Sequence, residues 1–481
     1  MSQKPVSNVP APVRVSGGIP VWLWLIMFVF GASIVAKLVT NAIPEDPKVF
    51  YENGLAALEN GNAAAGAENI RKLAKFPEYA AKQKLLDGML TLGTAKPLLA
   101  IPMLEEAAKE PEIRVKALSH LGSAFLRSNQ RAAAIGTFET LLQDDENAEE
   151  VRLSLANAFK EIFSWNDSLK QLLILRERGY QPGVVHELIG DIYYDTGRIA
   201  DAAPEYEMAF KADASDPANS RKAQKFVKCR IELNDVTGLE DVLPSVDAAT
   251  VRESAIALEQ LKNNETEKAL ATLEIPLKEY AGDATLSRVY GQIVATMGSE
   301  EKAVDALKIL RRPLEVHTRN LKLYETIAKL AAVAKKDDIV KVAQENVDQL
   351  KELQAQFQAK LNEVIATRDD IQGRLDLGDA AFAAGQYELA QICYQSVTLI
   401  DETQEIASNK KLKALYSRSL PLVSFHDAFI DLETDTVTAD PAPEADPTPE
   451  PDASTTPEPT TPEPTTPEPT TPEPPDEPSP N

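Results

Sequence analysis

The chain has 481 residues, 74 acidic and 50 basic side chains, and a formal charge of −24. That length leaves room for about three average domains or one long repeat array. The acidic balance excludes a nucleic-acid role, because phosphate binding needs a basic footprint, and two cysteines, Cys229 and Cys393, are too few for a disulfide framework.

Residues 1–18 form a short tail with Lys4 and Arg14 and no acid. Ile19 to Ala36 then reads IPVWLWLIMFVFGASIVA, an uncharged apolar run just long enough to cross hydrocarbon as a helix. Trp22 and Trp24 suit a headgroup boundary. The spacing predicts a transmembrane signal-anchor over 19–41, and the positive-inside rule places 1–18 in the cytoplasm and the rest outside it. A cleaved signal peptide ending near Thr40-Asn41-Ala42 is the alternative.

From residue 47 a period of 34 begins. Gly54, Gly88, Gly122, Ala156 and Gly190 recur at that interval. Twelve residues after each comes a small residue (Gly66, Ala100, Ala134, Ser168, Ala202), and sixteen after each a large apolar one (Ile70, Leu104, Phe138, Leu172, Tyr206). The pattern returns as Ala257/Ala269/Leu273, Gly291/Ala303/Leu307 and Gly378/Ala390/Tyr394. Small residues let paired helices approach, and the bulky one is expected to fill space towards the next pair. Turns are predicted at Glu59-Asn60-Gly61-Asn62, Ser128-Asn129-Gln130, Asp195-Thr196-Gly197 and Ala384-Gly385-Gln386. Such pairs gain stability by stacking.

This period and slot pattern resembles the tetratricopeptide repeat (TPR), most closely in LIGDIYYDTGRIADAAPEYEMAF, Leu188–Phe210. The resemblance spans about 47–404. The family's tryptophan slot departs, holding Phe50, Lys84, Leu118, Arg152 and His186. It implies an all-α fold, a right-handed superhelical solenoid of helix-turn-helix repeats. Five tandem repeats are expected over 47–216, then degenerate and regular ones over 217–337. The block Pro217–Ala249 keeps helical periodicity but loses its small slots.

Two further segments lie outside the repeat pattern. Over 338–368, Val340, Ala343, Val347, Leu350, Phe357, Leu361 and Val364 make a heptad seam on one long helix. It reads either as an overlong second helix packed on the solenoid or as a coiled-coil contact between two copies, a homodimer. Another repeat follows over 371–404, and a basic capping helix over 405–430. The tail, 431–481, carries 14 acids, no base and four TTPEP units between Thr455 and Pro474. Its proline and lack of apolar surface predict a disordered, polyproline-II-like chain.

No catalytic or metal constellation emerges. His120, His186, His317 and His426 are scattered, and neither a phosphate loop nor a nucleophile elbow is present. The chain is read as a non-enzyme without a cofactor. The resemblance further implies that first helices line a groove, apolar in the first two repeats (Tyr51, Leu55, Leu58; Leu85, Met89, Leu92). Further along, Arg221, Lys225 and Lys228 lie opposite the apolar face Ala223, Phe226, Val227 and Ile231. With Arg288, Lys322 and Lys329 they form a basic stripe with nothing inside the solenoid to pair with, suited to an acidic peptide or to the chain's own tail. The expected role is a membrane-anchored scaffold of a bacterial inner membrane with its repeats on the periplasmic side. A cell-wall spacer and a protein-import receptor are the alternatives.

Overall fold

In this computed structural model the described residues are 46–415, except 213–218, 366, 368 and 369. Among them the secondary structure is helical, without a strand. Helices come in antiparallel-neighbour pairs: α1 (Pro47–Glu59) with α2 (Ala63–Leu73), α3 (Ala80–Gly93) with α4 (Pro97–Ala107), α5 (Arg114–Arg127) with α6 (Arg131–Asp144). Then follow α7 (Glu149–Glu161) with α8 (Trp165–Glu177), and α9 (Pro182–Asp195) with α10 (Ile199–Ala212). After the single helix α11 (Asn219–Glu232) come α12 (Ala249–Lys262) with α13 (Thr266–Glu279), and α14 (Ala284–Met297) with α15 (Glu300–Val316). The last are α16 (Leu321–Val333) with α17 (Asp337–Val364), α18 (Ile371–Ala383) with α19 (Tyr387–Ile400), and α20 (Glu405–Leu415). Turns within pairs use positive φ at Gly61, Asn129, Gly197, Asn264 and Gly385. Glycine and asparagine tolerate that conformation best.

The 34-residue slots are contacts within a pair. A methyl group placed on Gly88 would lie 2.6 Å from Leu104 Cγ, on Gly122 2.6 Å from Phe138 Cδ1, on Gly190 2.8 Å from Tyr206 Cδ1, and on Gly378 2.6 Å from Tyr394 Cδ1. In each case the bulky residue sixteen positions on packs directly over its own repeat's glycine. This corrects the expectation that it reaches towards the next pair. At Ala156 the twelfth-position serine adds a bond, Ser168 Oγ donating to the Ala156 carbonyl at 2.7 Å. Gly54 and Gly291 differ: Leu86 crowds the first, and Thr326 and Leu330 the second.

The degenerate block has a physical account. After α11 no second helix forms; residues 233–248 run as turns around a short 3₁₀ segment, Leu243–Ser245. Val236, Leu239, Val242, Leu243 and Val246 are buried in the place of a second helix's apolar face. The next repeat therefore stacks without the missing small slots.

The long helix α17 is the second helix of a pair that the slot pattern misses, with α16 as its first. Its 28 residues extend about 42 Å at the usual helical rise. Ala343, Val347 and Leu350 are buried in its first half. Phe357, Leu361 and Val364 continue into a core shared with Ala156, Phe163, Trp165, Leu172, Val185 and Ile189. The buried seam residues thus pack inside one chain, as in the reading of an overlong second helix on the solenoid.

From there the C-terminal pair returns onto the middle repeats. Asn166 Nδ2 donates to the Ile365 carbonyl at 3.0 Å. Helix α19 touches α6 and α7, and Leu399 and Ile400 pack against the core of the first repeats. Cys229 and Cys393 are free and buried, as apolar fillers, and burial pushes the Cys229 thiol up to about 12.

The localisation expectation is corrected. Among the described residues no helix is long and apolar enough to cross a membrane. The segment 19–41, on which the anchor rested, lies outside the described residues, as do the tail from 431 and most of the expected capping helix.

Candidate peptide-binding groove

Four first helices (α9, α11, α14 and α16) carry the polar side chains of the candidate groove. Helix periodicity sends the apolar side of α11 (Ala223, Phe226, Val227, Ile231) into the core. Arg221, Lys225 and Lys228 are thereby turned away from it.

The structure divides the six expected cations into three groups. Arg221 grips Glu187 with two parallel bonds of 3.0 Å, Nε to Oε1 and Nη2 to Oε2. Lys225 donates to Glu187 Oε1 at 2.8 Å and to Asp191 Oδ1 at 2.6 Å. Lys160 holds the other Asp191 oxygen at 2.9 Å, and the Tyr206 hydroxyl donates to Asp191 Oδ1 at 2.9 Å. Burial alone would raise the Glu187 and Asp191 carboxyls. Arg221 and Lys225 at the first, and Lys160 and Lys225 at the second, outweigh it and hold both below their ordinary values. Asp195, next along α9, has no such clamp. Burial drives its carboxyl from 3.8 up to about 6 despite Lys160.

A second group forms around Glu232, the last residue of α11. Lys322 Nζ pairs with Glu232 Oε2 and also donates to the Glu232 carbonyl at 3.0 Å. Arg288 Nη2 lies 3.6 Å from Glu232 Oε1. Lys228 and Lys329 make up the third group: both are exposed, and neither has an ion pair among the described residues. The expectation that the stripe has nothing inside the solenoid to pair with is therefore corrected for Arg221, Lys225, Arg288 and Lys322.

Two cavities open beside the second group. One, of about 450 Å³, runs along α14 and α16 past Asn234, Arg288, Gln292, Lys322, Glu325 and Lys329. Its one carboxylate, Glu325, is engaged by Lys351 at 3.1 Å. The other, of about 340 Å³, lies between Glu232, Arg288, Arg319 and Lys322 on one side and the 384–387 turn on the other. Sequence reading missed Glu187, Asp191, Glu232 and Arg319. A signal existed for two of them: Glu187 and Asp191 stand 34 residues before Arg221 and Lys225, one repeat earlier on the neighbouring first helix. The apolar groove expected in the first repeats is largely core, since Leu85, Met89 and Leu92 are buried.

Of the histidines, His186 Nδ1 meets Glu205 Oε2 at 2.6 Å in a half-buried contact, and His317 is exposed. Among the described residues no group of three His, Cys, Asp or Glu side chains has metal-holding geometry.

No protein-family model and no curated protein matches this chain. Among solved structures it is similar to one described as Naa15/Naa10 bound to HypK-THB, at 11% identity and a TM-score of 0.35. That match covers 77% of this chain and 78% of the other. It is also similar to the APC/C hetero-tetramer Cut9-Hcn1, at 11% identity and a TM-score of 0.31, covering 82% and 94%. Both TM-scores are below 0.5, and neither likeness carries a functional inference.

Proposed function

We propose that this chain is a non-catalytic TPR-type scaffold, a right-handed superhelical array that binds extended acidic segments of other proteins along α14 and α16. The observation that carries this reading is the charge of the larger cavity. Arg288, Lys322 and Lys329 line it in a protein of net charge −24, and its single carboxylate is already held by Lys351. Exposed cations such as Lys329 contribute about 0–1 kcal/mol each, so binding is weak, multivalent and salt-sensitive. The chain's own tail, with Glu458, Glu463, Glu468 and Glu473 at five-residue spacing, is an intramolecular candidate that gains from effective concentration. Fluorescence anisotropy with a labelled TTPEP-repeat peptide tests the reading. Binding at low salt should weaken on raising salt and on charge reversal at Lys329 and Lys228. Binding indifferent to both, or none at low salt, rejects it.

A further inference from the structure

Arg374 shows how this chain treats a guanidinium that serves only structure. It is fully buried and spends its donors on three main-chain carbonyls: Ile162 at 3.0 Å, Asp370 at 3.0 Å and Thr367 at 3.4 Å. Two other arginines, on the walls of the smaller cavity, are treated differently. Arg288 is 6% exposed, yet its Nη2, 3.6 Å from Glu232 Oε1, has no hydrogen-bond partner among the described residues. Arg319 gives Nη1 to the Ala383 carbonyl at 2.6 Å, while its buried Nε has none among the described residues. Together with the part-exposed Lys322 these are three cations among the lining residues against one carboxylate, Glu232, an excess of two positive charges in the cavity lining. Buried charge left uncompensated is costly, because the surroundings solvate it far less than water does.

The same cavity is built from two distant parts of the chain. Glu232, Arg288, Arg319 and Lys322 belong to the middle of the array. Gln354 and the Ala384–Tyr387 turn belong to the segment that folds back. The two parts meet without slack at Gly385. Its φ is +80°, and a methyl group there would lie 2.7 Å from the Arg319 carbonyl oxygen.

We infer that this cavity is a binding site for a small dianion, a dicarboxylate or a phosphate group, and that its occupancy clamps the C-terminal repeat onto the array. A charge of two minus neutralises the excess. Two planar guanidinium groups suit the paired oxygens of a carboxylate or phosphate, and a volume near 340 Å³ lies at the small end of ligand pockets. Because the ligand touches both parts, it stabilises the closed arrangement in proportion to its saturation. The site shares Arg288 and Lys322 with the proposed peptide groove, but Arg319 belongs to the dianion site alone and Lys329 to the groove alone.

Inorganic phosphate and succinate are the probes, titrated into the full chain against chloride at matched ionic strength. Calorimetry and hydrogen exchange are the readouts. Either probe should bind with a Kd at or below about 1 mM and raise protection at the 384–387 turn and the start of α16. Arg319→Gln should weaken binding by about tenfold or more. Arg319→Lys, which keeps charge but loses the fork, should fall between, with circular dichroism confirming that both variants fold. Lys329→Gln should leave phosphate binding unchanged while weakening the TTPEP peptide. Absence of binding by both probes overturns the inference, as does binding indifferent to Arg319→Gln. Protection of the turn by the acidic peptide but by neither free dianion also overturns it, and leaves the groove reading standing.

Discussion

Arg374 Nε donates to the carbonyl oxygen of Ile162 at 3.0 Å, although 212 residues separate them. Ile162 caps the C-terminus of α7, where helical carbonyls lack intrahelical partners. The guanidinium of α18 thus completes a helix end in the fourth repeat and ties the last repeat to it. Removing it would strand buried acceptors on both sides of the contact. Arg374→Met should cost about 3 kcal/mol of stability, with hydrogen-exchange protection lost first around Ile162 and α18. Arg374→Lys should recover part of the loss, since one ammonium cannot serve all three carbonyls.

The slot geometry separates two glycines on neighbouring helices. Gly122→Ala places a methyl group against the Phe138 ring and should destabilise by about 1–3 kcal/mol. Gly136, inside α6, has no atom within 4 Å of an added methyl group. Gly136→Ala should therefore stabilise by up to about 1 kcal/mol through helix propensity. Chemical denaturation of both variants checks the pair, and equal effects would show the slot assignment to be wrong.

Seam substitutions on α17 should act within one chain. Leu361 is fully buried against residues of α8 and α9. Leu361→Asp should cost more than about 4 kcal/mol and leave the oligomeric state unchanged in analytical ultracentrifugation. A wild-type dimer dissociated by this change would contradict the intramolecular packing.

The pH dependence has a definite sign. The Asp195 carboxyl is raised from 3.8 to about 6 by burial, opposed by Lys160 and Lys225 and reinforced by Asp191 and Glu388. The folded state therefore holds its proton more tightly than the unfolded one. Its favourable contribution is full below about 3.8 and is lost as pH rises through 6. Asp195→Asn should stabilise above pH 6 by about 1–2 kcal/mol after allowance for partial solvent screening, and the gain should vanish below pH 4. Glu187 and Asp191 run the other way. Their lowered carboxyls contribute above the ordinary values of 4.5 and 3.8, and that contribution is lost on acidification. Thermal melts across this range read both effects.

The repeats were legible because their small and large residues contact each other within one helix pair, sixteen positions apart, as with Gly122 and Phe138. The pairing of α16 with α17 was not, because the slots 34 residues after Gly291, Ala303 and Leu307 hold Glu325, Asp337 and Lys341, none of them small or apolar. The destination of the seam was hidden for a different reason. Trp165 and Ile189 lie far from Phe357 and Leu361 in sequence, and periodicity reports which face is apolar but not what covers it. The cations were legible as a stripe, whereas Glu232, which serves both Arg288 and Lys322, follows no repeat spacing.

The C-terminal repeat folds back onto the fourth repeat and closes the array. Spin labels at two exposed positions flanking that contact, introduced as Lys170→Cys and Gln372→Cys, measure it by pulsed electron resonance. The native Cys229 and Cys393 are fully buried and stay unlabelled. A single narrow distribution at short distance is expected. Gly385→Ala, which forces a methyl group against Arg319, should broaden it. A broad or long distribution in the unaltered background, insensitive to Gly385→Ala, would contradict the closed array.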